Sequence, residues 1–107
     1  MSRSNALTGK SLRLEYESGL RVIGHYRSES RLEWEALSAG ETGKTGAERI
    51  HTAEVAPGVH FVSWLEAAGV TVSQVLDLPR AQVTSFVTFE TPQGRQSLFD
   101  RGRIVEL

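Results

Sequence analysis

The sequence predicts an all-β protein, an antiparallel meander of about eight or nine short strands closing into a small β-barrel. Three observations carry that expectation. Apolar and polar residues alternate with period two over most of the chain. Turn signals built on glycine and proline recur at about the 8–12-residue spacing of a sandwich or barrel. No window gives the i, i+3, i+4, i+7 stripe of an amphipathic helix, and "SWLEAAGV" has room for one helical turn at most. Closure into a barrel is the economical arrangement because it removes exposed sheet edges.

Taken in order, "SLRLEYE" puts Leu12, Leu14 and Tyr16 on one face and Arg13, Glu15 and Glu17 on the other. "ESG" supplies a turn, where Gly19 takes positive φ without steric cost. In "LRVIGHYR", Leu20, Val22 and Tyr26 share a face, and Gly24 marks a bulge or a close packing contact. "RLEWEAL" points Leu32, Trp34 and Ala36 inward. The polar stretch "SAGETGKTGAE" then reads as a loop. A shorter strand, "RIHTAEVA", ends at the Pro57-Gly58 turn. In "VHFVSWLEA" both faces carry bulky apolar groups, so this strand is expected to be covered on both sides. "GVTVSQVLDL" ends at Pro79, and "AQVTSFVTFE" is rich in β-branched and aromatic residues. After the turn at Thr91-Pro92-Gln93-Gly94, "RQSLFD" and "RIVEL" read as a closing hairpin around Arg101-Gly102.

The stretch Ser38–Gly46 contains Gly-Lys-Thr, the end of the phosphate-binding pattern G-x-x-x-x-G-K-[ST]. Ser38 occupies the position of the first glycine. A phosphate loop also needs a buried parallel strand before it and a helix after it. Neither is predicted here, so the stretch reads as a glycine-rich strand connection.

The totals bound the function. The chain has 107 residues, 39% apolar and 23% charged, which suits one soluble domain spanning 1–107, with residues 1–6 expected as a flexible N-terminus. A formal net charge of −1 offers no global field for nucleic acid or an anionic membrane, and neither is an expected partner. There is no cysteine, which removes disulfides and thiolate chemistry. The N-terminal ten residues show no apolar signal region, and no run approaches the ~18–20 apolar residues of a membrane helix. A cytoplasmic location is the expectation.

His25, His51 and His60 fall on three predicted strands without metal-ligand spacing, and no metal or cofactor is expected. No G-x-S-x-G elbow supports a serine nucleophile. Glu66 is the notable group: it shares a strand face with His60, Val62 and Trp64. In a barrel interior, desolvation would favour its protonated form and suit it to proton transfer; at a strand end it would lie in solvent. Tyr16 and Tyr26, both on apolar faces, either point hydroxyls into the same cavity or serve as core tyrosines.

With "LTGKSLRLEYESG" near the start and "EVAPGVHFVSWLEAAGVTVSQVLDL" in the middle, the chain resembles the small calycin-like barrels of phenolic acid decarboxylase and the MoaF-like group, over about residues 7 to 90. Phenolic acid decarboxylases are cofactor-free lyases. The resemblance implies that Glu66 matches their catalytic glutamate and Tyr16 the second of their two tyrosines. The first tyrosine falls on Leu14, and their substrate-binding arginine falls in the loop around Gly43 and Lys44. The MoaF-like group fits the length and motifs better.

With that resemblance, the leading expectation is a small calycin- or lipocalin-like β-barrel whose lumen binds a small, partly apolar organic molecule, with aromatic compounds and organic acids as candidate classes. Tyr16, Trp34, Lys44, His60, Trp64 and Glu66 are the expected binding residues, with Lys44 on a lid over an organic acid. The alternatives are a cofactor-independent lyase or isomerase using Glu66 and Tyr16, and a homodimeric interaction module using Val59, Phe61 and Leu65.

Overall fold

The computed structural model describes residues 6–38, 40 and 42–107. It contains nine strands: β1 Ser11–Tyr16, β2 Arg21–Ser28, β3 Arg31–Ala36, β4 Thr45–Arg49, β5 His51–Ala56, β6 Val59–Leu65, β7 Thr71–Asp77, β8 Gln82–Thr91 and β9 Gly94–Glu106. The described residues include no helix. The expectation of a flexible N-terminus falls mainly on residues 1–5, which lie outside the described residues, as do Ala39 and Glu41 of the proposed lid.

All neighbouring strands pair antiparallel in one sheet, in the order β4-β3-β2-β1-β9-β8-β7-β6-β5. The two strands at the ends of that order are consecutive in the chain, separated only by Ile50. Ile50 is buried, its N–H donates to the Ser30 carbonyl, and β4 touches β6 across the gap. One bent segment thus serves both edges and nearly closes the barrel, as the alternation predicts.

Inward positions follow the predicted parity. Leu12, Leu14 and Tyr16 of β1 are buried, as are Leu32 and Ala36 of β3 and Val62 and Trp64 of β6. Each apolar side chain so buried contributes roughly 1.5–3 kcal/mol relative to exposure. Toward the end of the barrel bearing the β2–β3 turn, the interior is packed with the buried side chains of Leu7, Leu12, Leu32 and Ile50. The opposite end, bearing the β1–β2 and β6–β7 turns, is less filled and holds the site described below.

Three expectations need correction. "TGAER", read as loop, is strand β4, paired with β3 at Trp34↔Gly46 and Leu32↔Glu48. The supposed closing hairpin at Arg101-Gly102 is absent: β9 runs 13 residues without a turn. Gly102 is there because β1 comes very close. A Cβ on it would lie 2.1 Å from the Glu15 carbonyl oxygen and 2.7 Å from the Tyr16 Cα. β6 is covered on its inner face only, since Phe61 and Leu65 are exposed on the outer one, Leu65 by 69%. Between β6 and β7, "EAAG" forms a turn closed by the Gly69 N–H donating to the Glu66 carbonyl.

Candidate functional site

Cross-strand register stacks the lumen in layers. A polar layer crosses one wall, where Gln74, Ser85 and Asp100 stand directly opposite one another on β7, β8 and β9. All three are buried. Next to it, toward the β6–β7 turn, Trp64, Val72, Val87 and Leu98 form an apolar layer. On the facing wall, Gly24, Trp34 and Gly46 occupy one row across β2, β3 and β4.

That last row explains an otherwise odd pair of glycines. A Cβ at Gly46 would sit 2.5 Å from the Trp34 indole, and one at Gly24 would sit 3.0 Å from the Tyr26 ring. The two large rings lie on bare backbone. Trp34 donates its indole N–H to Glu48 at 3.1 Å, and Trp64 donates its own to Glu66 at 3.0 Å. The "GKTG" stretch therefore has a structural role at both glycines. Gly43, at φ 89°, makes the turn into β4, and Gly46 seats the Trp34 ring.

Two tyrosines bridge the lumen from β1 and β2 to the polar layer. The Tyr26 hydroxyl donates to Gln74 Oε1 at 3.0 Å, and the Tyr16 and Ser85 hydroxyls are 2.6 Å apart. Ser18, in the β1–β2 turn, donates to Asp100 at 2.6 Å. No buried side-chain polar atom among the described residues lacks a partner. Burial pushes both phenols above their ordinary value. Hydrogen bonds from Ser85 and Gln74 pull Tyr16 partly back, and neighbouring Asp100 adds to the rise.

This has a direct consequence for alkaline stability. The folded state keeps both phenols protonated at a pH where the unfolded chain releases their protons. Above about pH 10 the native state thus binds more protons, and stability falls as pH rises. The limiting slope is about 1.4 kcal/mol per pH unit for each tyrosine, with no contribution below the ordinary tyrosine range. The chain has only two tyrosines, so ultraviolet titration reports on these alone. Tyrosinate absorbance is expected to rise together with loss of the β-sheet circular dichroism signal. Free ionisation near pH 10 with the fold intact would contradict the buried bridges.

Between these layers lies a cavity of about 220 Å³, lined mainly by apolar side chains. The structure brings four of the six expected binding residues to it: Tyr16, Trp34, Trp64 and Glu66. The other two do not line it. His60 is buried on the same face of β6 as Glu66, but six residues along a strand are about 20 Å, and it sits by the packed end near Leu7 and Glu54. Lys44 is exposed in the β3–β4 connection. Tyr26, Gln74, Ser85 and Asp100 complete the polar part of the lining. Gln74 and Ser85 had a visible signal, being polar residues at inward positions of apolar strands. Asp100 was obscured because its strand was read as ending there. Among the described residues, no group of three or more His, Cys, Asp or Glu gathers as a metal site.

With this geometry in place, comparison with known proteins is informative. A crystal structure from Burkholderia vietnamiensis, described as a "putative beta-lactamase", superposes with a TM-score of 0.84 over 99% of this chain and 100% of that one, at 20% identity. At that identity the likeness establishes the shared barrel. No curated protein matches the chain. The model of the MoaF-like family matches residues 8–98, and the chain accordingly belongs to the MoaF-like family.

Proposed function

We propose that this protein binds a small, largely apolar molecule in its barrel lumen. The observation that carries the reading is the 220 Å³ cavity, whose mainly apolar wall is interrupted by a cluster of hydroxyl, amide and carboxyl groups and, apart from it, by Glu66. A buried apolar cavity of about 150 Å³ already takes up benzene, so this one suits a single ring with a short side chain. The aromatic rings supply contact area, and the Tyr16, Ser85 and Gln74 groups orient a polar end.

Binding fits the residues better than the catalytic alternatives do. Leu14 stands where a phenolic acid decarboxylase has a tyrosine, and no lysine or arginine is among the lining residues to hold a substrate carboxylate. Lactam hydrolysis, suggested by the neighbour's description, needs a base beside its serine. Ser85 instead faces Tyr16, whose raised pKa withholds a phenolate.

The test is titration of both tryptophans by fluorescence with single-ring neutral compounds such as phenethyl alcohol, in wild type and in Val72→Phe. Val72 lines the cavity, and the larger ring fills it. Saturable 1:1 binding is expected in the wild type, weakened at least tenfold in the filled variant. Equal affinity in both proteins would remove the lumen as the site.

A further inference from the structure

We propose that the lumen selects an organic cation, a protonated amine or quaternary ammonium group on a small apolar body. The inference rests on the lumen-binding reading above and specifies its ligand class. It comes from the charge of the lining. Two carboxylates face the cavity, Asp100 on β9 and Glu66 after β6, and the described lining contains no lysine, arginine or histidine. Asp100 is buried, and its hydrogen bonds come from neutral donors, the Ser18 hydroxyl and the Arg101 backbone N–H. Glu66 likewise accepts from a neutral donor, the Trp64 indole. The ion pairs among the described residues lie elsewhere and use other acids.

Two negative groups beside a mostly apolar space disfavour an anionic guest and favour a cationic one, because the low local dielectric strengthens both effects. Beside leucine and valine side chains, the lining carries four aromatic rings, those of Tyr16, Tyr26, Trp34 and Trp64. Aromatic rings around a carboxylate form the recurring environment for alkylammonium groups, which they attract through their π faces. The same inventory argues against the organic acid expected from the sequence, whose proposed partner Lys44 lies outside the lining.

Three probes of one size and different charge decide the matter: phenethylamine, phenethyl alcohol and phenylacetate, titrated by calorimetry near neutral pH. The amine is expected to bind at least tenfold tighter than the alcohol, with phenylacetate weakest. Asp100→Asn and Glu66→Gln should each reduce the amine's advantage, and the double variant should bring amine and alcohol within about twofold. Retained alcohol binding shows that the variants are folded. Should Asp100→Asn not fold, the wild-type series and Glu66→Gln still decide. An alcohol or phenylacetate that binds as tightly as the amine overturns the cation assignment and leaves lumen binding standing. Failure of all three probes overturns lumen binding, and this inference with it.

Discussion

Gly102→Ala is expected to be the most damaging single-methyl substitution in this barrel. The added Cβ would lie 2.1 Å from the Glu15 carbonyl oxygen, 2.7 Å from its carbonyl carbon and 2.7 Å from the Tyr16 Cα. All three are backbone atoms of β1, so no side chain can rotate away. Relief requires β1 and β9 to part at Tyr16↔Gly102, the last bridge of their pairing. Next to it, the Glu17 N–H donates to the Arg101 carbonyl and Ser18 donates to Asp100. A loss on the order of 4 kcal/mol or more is expected, in the range reserved for severe overpacking and broken networks. Urea denaturation reads it directly. A midpoint within error of the wild type would show that the two strands are farther apart than the structure has them.

Gly46→Ala ranks second and differs in kind, because the obstacle is a side chain. Its Cβ would lie 2.5 Å from two atoms of the Trp34 indole. The ring must leave its seat, giving up its bond to Glu48 and deforming the cavity wall. Overpacking of this sort costs about 1–3 kcal/mol. Alanine in a strand is otherwise favoured over glycine by roughly 0.5–1 kcal/mol. The sign therefore depends on the partner. In wild type the substitution is expected to destabilise by about 2 kcal/mol and to weaken lumen binding. In a Trp34→Ala background it is expected to be neutral or stabilising, a coupling that a double-mutant cycle measures. Destabilisation of equal size in both backgrounds would contradict the seating of Trp34 on Gly46.

These two glycines also mark where the sequence was legible and where it was not. Alternation read the inward faces of β1, β2 and β3 correctly, because a period of two needs only local information. It missed β4, whose short "TGAER" run carries a glycine and no apolar residue larger than alanine. It divided β9 at Gly102, because glycine signals both a turn and a close approach, and only the neighbouring strand distinguishes them. It found the outward apolar residues of β6 but supposed them covered, whereas Phe61 and Leu65 are exposed, Leu65 by 69%.

The site shows the same division. Parity placed His60, Val62, Trp64 and Glu66 on one face, and all four do lie on the inner side of the barrel. Parity carries no depth, so it could not tell that His60 lies at the packed end and Glu66 at the cavity. The polar layer of Gln74, Ser85 and Asp100 depends on two strand pairings at once and exists only in the folded register. The charge of the lumen follows from that register too. Lys44, the cation nearest to the expected site in sequence, is left exposed, while Asp100 is buried and the half-buried Glu66 borders the cavity.

The most direct test of lumen binding is nuclear magnetic resonance of the ¹⁵N-labelled protein titrated with phenethylamine and phenethyl alcohol. The chain has two tryptophans, and both line the cavity, so each indole N–H is a resolved reporter of the interior. The account predicts that both indole signals and the Gln74 side-chain amide shift together to saturation, while backbone amides of the outward Phe61, Phe86 and Phe99 stay in place. Shifts confined to those outward strands, with the indoles unmoved, would contradict it.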